Sequence, residues 1–369
     1  MKFEASSPFK KYESVHMLRG LSAVAVMFFH FRWILNDGYG ELGDTLFIKG
    51  GLGVDLFFII SGFVITLASR NNSENIRGVI DFIKNRALRI LPAYYFWLLV
   101  FFVFSGALST FHYPEKTQNL ISALTLTTYL PNQGPGYIST DGIYIVRWTL
   151  NYEIFFYIAM ALSLFFKRRV LAIFSIILLT TLIVPYVFNS SPTLSSAGVN
   201  SMFSYVNLIT NPMAYLFLSG VFMAKIAGYL NQINVCIKRF VLFISVAQVF
   251  LLMRMPEFSS NGMFSSGIPL LILFFGFVLN EDFFTKYKTK FIGFFGDISF
   301  SLYLAHTIMN VGFNKRIDAL GVGDGWVKFA IFTFISIALA ALSFKFLESK
   351  VAIYVSNTKK QSNLKLEID

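Results

Sequence analysis

Ten apolar stretches divide the chain, at about 15–36, 52–70, 91–111, 148–166, 170–189, 205–224, 238–255, 266–280, 293–313 and 328–347. Crossing the hydrocarbon layer, about 30 Å thick, takes about 20 apolar residues of helix at about 1.5 Å each. Lipid offers no water to bond a free N–H or C=O, so runs of this length read as helices. The pattern therefore predicts an all-α, polytopic membrane protein of about ten transmembrane helices. The eighth run is short for a span. A further apolar segment, 119–130, is shorter still and reads as re-entrant or surface-lying.

Composition rules out the soluble alternative. Hydrophobic residues make up 55% and charged residues only 14%, against about 25% charged in an ordinary soluble domain. The net charge of +11 does not imply nucleic-acid binding, because the Lys and Arg fall between apolar spans rather than on one soluble face. Basic loops of a membrane protein give the same balance. With the N-terminus placed inside, fourteen Lys and Arg fall in cytoplasmic loops, such as Arg168 and Arg169, and seven fall outside. The bias predicts both termini in the cytoplasm. The expected organisation is a tail over 1–12, one membrane domain over 13–350 and a second tail over 351–369. The first run is interrupted by Arg19 and lacks a small-residue cleavage motif, so it reads as a retained signal anchor. The single cysteine, Cys236, permits neither an intramolecular disulfide nor a Cys-based metal site.

Ionisable residues inside the spans are the anomaly. Arg19 and His30 both lie in the first run. Eleven helical steps of about 100° return to within about 20° of the start, so both share one face, about 16 Å apart along the axis. Each costs about 2.5–3.5 kcal/mol at a helix centre on insertion scales. Two readings stand: a stripe kept for chemistry, or a snorkelling arginine and a packed histidine. Span boundaries put Asp55 in the first turn of the second helix and Glu153 about a turn and a half into the fourth. His30, Asp55 and Glu153 would then share the outer third of the membrane, as a general-base site or as a polar packing cluster. No tight ligand spacing marks a metal site.

Arg86 and Arg89, three apart before Pro92, project to one side. Together with Arg19 they would suit either the phosphates of a cytosolic ligand or anionic lipid. Ser299, Tyr303 and His306 follow at i, i+4 and i+7 on one helical face. The loop over 112–147, with Tyr129, Asn132, Gln133 and Tyr137, reads as sugar contact or an interfacial aromatic belt.

Five segments in order carry a resemblance. They are Arg19 and His30 with ten residues between them; Gly53-Val54-Asp55-Leu56-Phe57-Phe58-Ile59-Ile60-Ser61-Gly62-Phe63; Arg86-Ala87-Leu88-Arg89-Ile90-Leu91-Pro92; Trp148-Thr149-Leu150-Asn151-Tyr152-Glu153; and Ser299 through Tyr303 to His306. In these the chain resembles the acyltransferase-3 family of integral membrane acyltransferases, which includes bacterial O-antigen, exopolysaccharide and Nod-factor O-acetyltransferases. The match runs from about 13 to 350. Asn151-Tyr152 stands where small and aliphatic residues are commoner in that family, and it leaves the glutamate in place.

The resemblance implies transfer of an acyl group, acetyl above all, from cytosolic acyl-CoA to a hydroxyl of a cell-surface glycan. Arg19, Arg86 and Arg89 would bind acyl-CoA. His30 would be the leading catalytic residue, acting as base or as a transient acyl carrier, with Asp55 or Glu153 fixing its tautomer. Ser61, Trp148, Ser299, Tyr303 and His306 would support the site. Acetyl-CoA enters as a substrate, and no permanently bound cofactor or metal is implied. The partners implied are acyl-CoA, a saccharide or lipid-linked saccharide acceptor, membrane lipids and polysaccharide-assembly proteins, without nucleic acid. The location implied is the bacterial inner membrane. The rival is a transporter or flippase of a lipid-linked saccharide, which needs no arginine clamp for CoA.

Overall fold

The computed structural model describes residues 12–104, 107–128, 144–201, 203–255, 258 and 260–351. Nearly all of the two expected tails, and the Tyr129–Tyr137 segment, lie outside the described residues. Every regular element among the described residues is helical. In chain order the main helices are α1 (Glu13–Tyr39), α2 (Leu42–Ser69), α3 (Ile76–Phe104), α4 (Pro114–Leu124), α5 (Arg147–Ser163), α6 (Arg169–Val187), α7 (Ser204–Leu230), α8 (Val235–Leu252), α9 (Met263–Leu279), α10 (Lys290–Ala305), α11 (Met309–Ala319) and α12 (Trp326–Val351).

Among the described residues seven helices are long and apolar enough to cross a bilayer: α1, α2, α3, α6, α7, α8 and α12. Helices α10 and α11 together would make an eighth, bent by 52° at the break between them. The expected count of ten spans is therefore not reached, although each apolar stretch is realised as a helix. The fourth stretch falls short because α5 has 17 residues, about 26 Å at 1.5 Å per residue. The eighth, α9, is also too short. Segment 119–130 is largely taken by α4, whose 11 residues cannot span.

Two helix starts near the site differ from expectation. Helix α3 starts at Ile76 and runs through Pro92 without ending. A proline deletes one backbone bond and kinks a helix, but its neighbours in a bundle can hold it together. Arg86 and Arg89 therefore sit on the spanning helix itself, not on a separate short one. Helix α2 begins at Leu42 and tightens to a 3₁₀ turn over Ile48–Leu52. Asp55 lies, as expected, in the first turn of the α-helical part that follows, Gly53–Ser69.

Close approach is set by glycines. A Cβ on Gly220 of α7 would stand 1.9 Å from the Ile59 carbonyl oxygen, and one on Gly62 of α2 would stand 2.0 Å from that of Phe217. No other residue lets these backbones meet. Helices α1 and α10 touch likewise, since a Cβ on Gly20 would lie 2.8 Å from the Gly296 nitrogen. That contact fixes α10 beside α1, and so fixes its late polar residues beside His30. The first turn of α1 is capped from afar: Glu281 accepts from the Glu13 and Ser14 amides at 2.8 and 3.0 Å. A carboxylate there satisfies amides that have no partner inside the helix. On α8, Phe240 and Phe243 are exposed, as lipid-facing positions require.

Candidate functional site

A cavity of about 110 Å³ opens between α1, α2, α3, α5 and α10. Its polar lining comes from Arg19, Ser61, Arg86, Arg89, Thr149, Glu153, Tyr157, Ser299 and Tyr303, and its apolar lining includes Val54, Phe57, Phe58 and Phe300. Arg86 and Arg89, three apart on α3, face it together. Arg19 feels the charges of Arg89, Glu348 and Glu153. Three guanidiniums face two carboxylates, so the cavity keeps a formal positive excess. A cation in such a place needs a counter-charge, and Arg86 has Glu153 and the Tyr157 hydroxyl within reach.

The hydrogen bonds single out Arg86. Its Nε is buried without a hydrogen-bond partner. The neighbouring Glu153 is engaged elsewhere, since the Tyr157 hydroxyl donates to its Oε1 at 2.5 Å. Glu348 is likewise held: the Ser301 hydroxyl donates to it and shares a 2.8 Å hydrogen bond with Ser343 Oγ. Trp97 Nε1 donates to the same Ser343 oxygen at 3.1 Å, tying α3 to α12. The carboxylates are thus fixed by hydroxyls while one buried guanidinium N–H is left without a hydrogen-bond partner.

Tyr303 leads out of the cavity. Its hydroxyl shares a 2.7 Å hydrogen bond with Thr149 Oγ1. Its ring centroid lies 6.0 Å from that of His306, which lies 5.0 Å from that of His30. His306 is fully buried in the break between α10 and α11. Its Nδ1 lies 3.0 Å from the Leu302 carbonyl oxygen. A carbonyl only accepts, so Nδ1 carries the proton and Nε2 presents a lone pair. That Nε2 is buried without a partner. His30 is only part-buried. Its backbone carbonyl accepts from Asn310 Nδ2 at 3.3 Å, and Trp33 Nε1 donates to Asn310 Oδ1 at 3.3 Å. The turn beyond is braced by Arg32, whose Nε donates to Asp44 at 2.7 Å.

The structure gathers seven of the expected site residues around one cavity: Arg19, Ser61, Arg86, Arg89, Glu153, Ser299 and Tyr303. His30 and His306 meet just beyond it. Trp148 is buried and packs edge-on against Tyr152 at 6.2 Å, away from the cavity lining. The expected meeting of His30, Asp55 and Glu153 does not form: among the described residues no hydrogen bond or ion pair joins any two of them. Asp55 is fully buried and turned to the segment entering α9. There it accepts from the Gly262 amide at 2.9 Å, from Asn261 Nδ2 at 3.2 Å and from Ser266. Its place in the first α-helical turn of α2, at the end next to that segment, directs it there. Tyr157, Thr149 and Glu348 were missed as site residues. Tyr157 follows Glu153 by four on one helical face and could have been read, whereas nothing local marked Glu348. Among the described residues no group of three His, Cys, Asp or Glu is placed to hold a metal ion.

An all-helical membrane bundle with an arginine-lined cavity leading to a histidine pair is the class that the fold and site define. The chain matches an acyltransferase-domain family over residues 12–345, and it belongs to this acyltransferase-3 family. It is 35% identical over 123 residues to the exopolysaccharide production protein ExoZ of Rhizobium meliloti, covering 33% of this chain and 37% of that protein. It is 32% identical over 118 residues to the peptidoglycan O-acetyltransferase OatA of Listeria monocytogenes, covering 30% of this chain and 16% of that one. The chain thus spans little more than a third of the first relative and a sixth of the second. No solved structure matches.

Proposed function

We propose that the protein is an O-acyltransferase of the bacterial inner membrane. It moves an acyl group, acetyl in this reading, from cytosolic acyl-CoA to a hydroxyl of a cell-surface glycan such as O-antigen or exopolysaccharide. The observation that carries the reading is the open Arg86 Nε in a cavity with a positive excess, set one tyrosine away from a histidine pair. The family and the roles that the names of the two relatives describe support it. A flippase has no use for three guanidiniums gathered close to a histidine pair.

In this reading Arg19, Arg86 and Arg89 hold the phosphates of CoA, because planar guanidiniums bond phosphate oxygens two at a time. The pantetheine arm extends along α1 toward His30. The acceptor hydroxyl oxygen attacks the thioester carbonyl carbon. A C–O bond forms as the C–S bond breaks, His30 takes the hydroxyl proton, and the leaving thiolate is protonated to free CoA. Glu153 trims the charge of the cavity rather than orienting His30. Asp55 holds the start of α9 in place.

The test is the mass of the surface polysaccharide from cells with and without this protein. A difference of one acetyl per repeat unit is expected. An unchanged polysaccharide, together with unchanged peptidoglycan and lipid-linked saccharides, would remove the acyltransferase reading.

A further inference from the structure

We infer that His306 is the positioning residue of His30: its Nε2 accepts a hydrogen bond from the His30 imidazole and so fixes which His30 nitrogen faces the acceptor hydroxyl. The inference rests on the reading of His30 as the base, and it replaces the carboxylate expected to serve it.

Three observations converge. First, the tautomer of His306 is set by the backbone, with Nδ1–H on the Leu302 carbonyl at 3.0 Å. The other nitrogen can only accept. Second, that Nε2 is buried and unpartnered, on a side chain with no solvent exposure. A buried acceptor without a donor calls for an explanation. Third, the nearest ring bearing an N–H is His30, at 5.0 Å between centroids and 50° between planes. The remaining rings around His306, those of Phe31 and Tyr303, lie at 6.3 and 6.0 Å. The Phe31 ring has no donor, and the Tyr303 hydroxyl is already bonded to Thr149. Of these three rings, His30 is the one that can satisfy the nitrogen by turning.

Neither candidate carboxylate can take this place. Asp55 is occupied by three donors from the segment entering α9, and Glu153 faces the arginine cavity and Tyr157. His306 cannot itself be the base, because it is fully enclosed, whereas His30 is part-exposed. The roles divide accordingly. The His30 nitrogen away from His306 keeps its lone pair and receives the acceptor's proton, while the N–H on the other side donates to His306 Nε2. The same bond steadies the imidazolium when the proton arrives, as the third member of a triad does. His306 sits in the break between α10 and α11, where its carbonyl partner is one turn back. The bend therefore aims the ring while leaving Nε2 free.

The test compares two amides that differ only in reach, in full-length protein with acetyl-CoA and purified acceptor glycan. The oxygen or nitrogen of glutamine reaches the position of Nε2, and that of asparagine reaches the position of Nδ1. His306→Asn keeps the bond to Leu302 but removes the acceptor from His30. Its kcat is expected to fall about 10- to 100-fold, the range for a lost hydrogen bond to a charged group. KM for acetyl-CoA should stay within about twofold, the same RT ln relation making twofold only about 0.4 kcal/mol. His306→Gln should recover most of that kcat. A purely structural histidine gives the reverse order, with Asn the better substitute, and that result would overturn the inference. So would a His306→Asn enzyme with wild-type kcat. His30→Ala is run beside them: if it still transfers acetyl, the reading of His30 as base falls. If it is inactive while both His306 variants are normal, only the present inference falls.

Discussion

The Tyr157 hydroxyl donates to Glu153 Oε1 at 2.5 Å across one turn of α5, directly beside the Arg86 guanidinium. This bond decides how much of the arginine cavity is left for an anion. A carboxylate so held is less able to pair with Arg86, whose Nε stays open. Removing the hydroxyl frees Glu153 to swing onto Arg86 and compete with phosphate. Tyr157→Phe should therefore raise KM for acetyl-CoA several-fold with little change in kcat. Steady-state kinetics over a range of donor concentrations checks it, and an unchanged KM would separate Glu153 from donor binding.

Arg86 and Arg89 differ in burial, and their effects should differ too. Arg86 is partly enclosed, whereas Arg89 is exposed at the rim, where screening by water weakens any ion pair. A charge-assisted hydrogen bond is worth about 1.5–3 kcal/mol. Arg86→Ala is expected to weaken acetyl-CoA binding about 10- to 100-fold, and Arg89→Ala by less than that. Isothermal titration with the detergent-solubilised protein gives both numbers. Equal and small losses would return the pair to the role of an anionic-lipid contact.

His30→Ala should remove acyl transfer while leaving donor affinity within about twofold, because the His30 ring lies outside the cavity lining and twofold is only about 0.4 kcal/mol. The helix contact observed at this level is made by its backbone carbonyl with Asn310. Alanine keeps that carbonyl, so insertion and protein level should be normal. Transfer assays at matched protein amount decide it, and near-wild-type transfer would take His30 out of the chemistry.

Helix number and chemistry were legible in the sequence to different depths. The apolar runs gave every main helix, because lipid leaves the backbone no other choice. Arg19 and His30 were readable as one stripe because a helix fixes angles over eleven residues. Arg86 and Arg89 were readable as a pair for the same reason. What periodicity does not carry is where a helix begins when 3₁₀ turns and prolines lie inside it. The 3₁₀ turn over Ile48–Leu52 extends α2 to Leu42, ahead of the expected start near 52, while Asp55 keeps its place in the first turn of the α-helical part. Contacts between distant helices were also hidden. Nothing near His30 in sequence points to His306, and the glycine approach of α1 to α10 that unites them is visible only in three dimensions.

Asp55 gives the sharpest division between holding the fold and doing chemistry. It sits in the same segment as Ser61, which lines the cavity, yet its carboxylate takes the Gly262 amide, Asn261 and Ser266. These partners bring the entrance of α9 against α2, at a place where the backbone bends through Gly262 with a φ of 120°. Asp55→Asn keeps the size and one acceptor oxygen but turns an NH₂ group toward donors. With one donor left unmet, the expected loss is about 1–3 kcal/mol of stability, read as a lower unfolding midpoint in detergent. Transfer per folded molecule should stay within about threefold of wild type, about 0.65 kcal/mol on the same RT ln scale, since no reacting group touches Asp55. A variant with a normal midpoint and no transfer would make Asp55 part of the chemistry instead. Asp55→Ala, which leaves all three donors unmet, should lower the midpoint further than Asp55→Asn, and equal midpoints for the two would show that the carboxylate does not anchor α9.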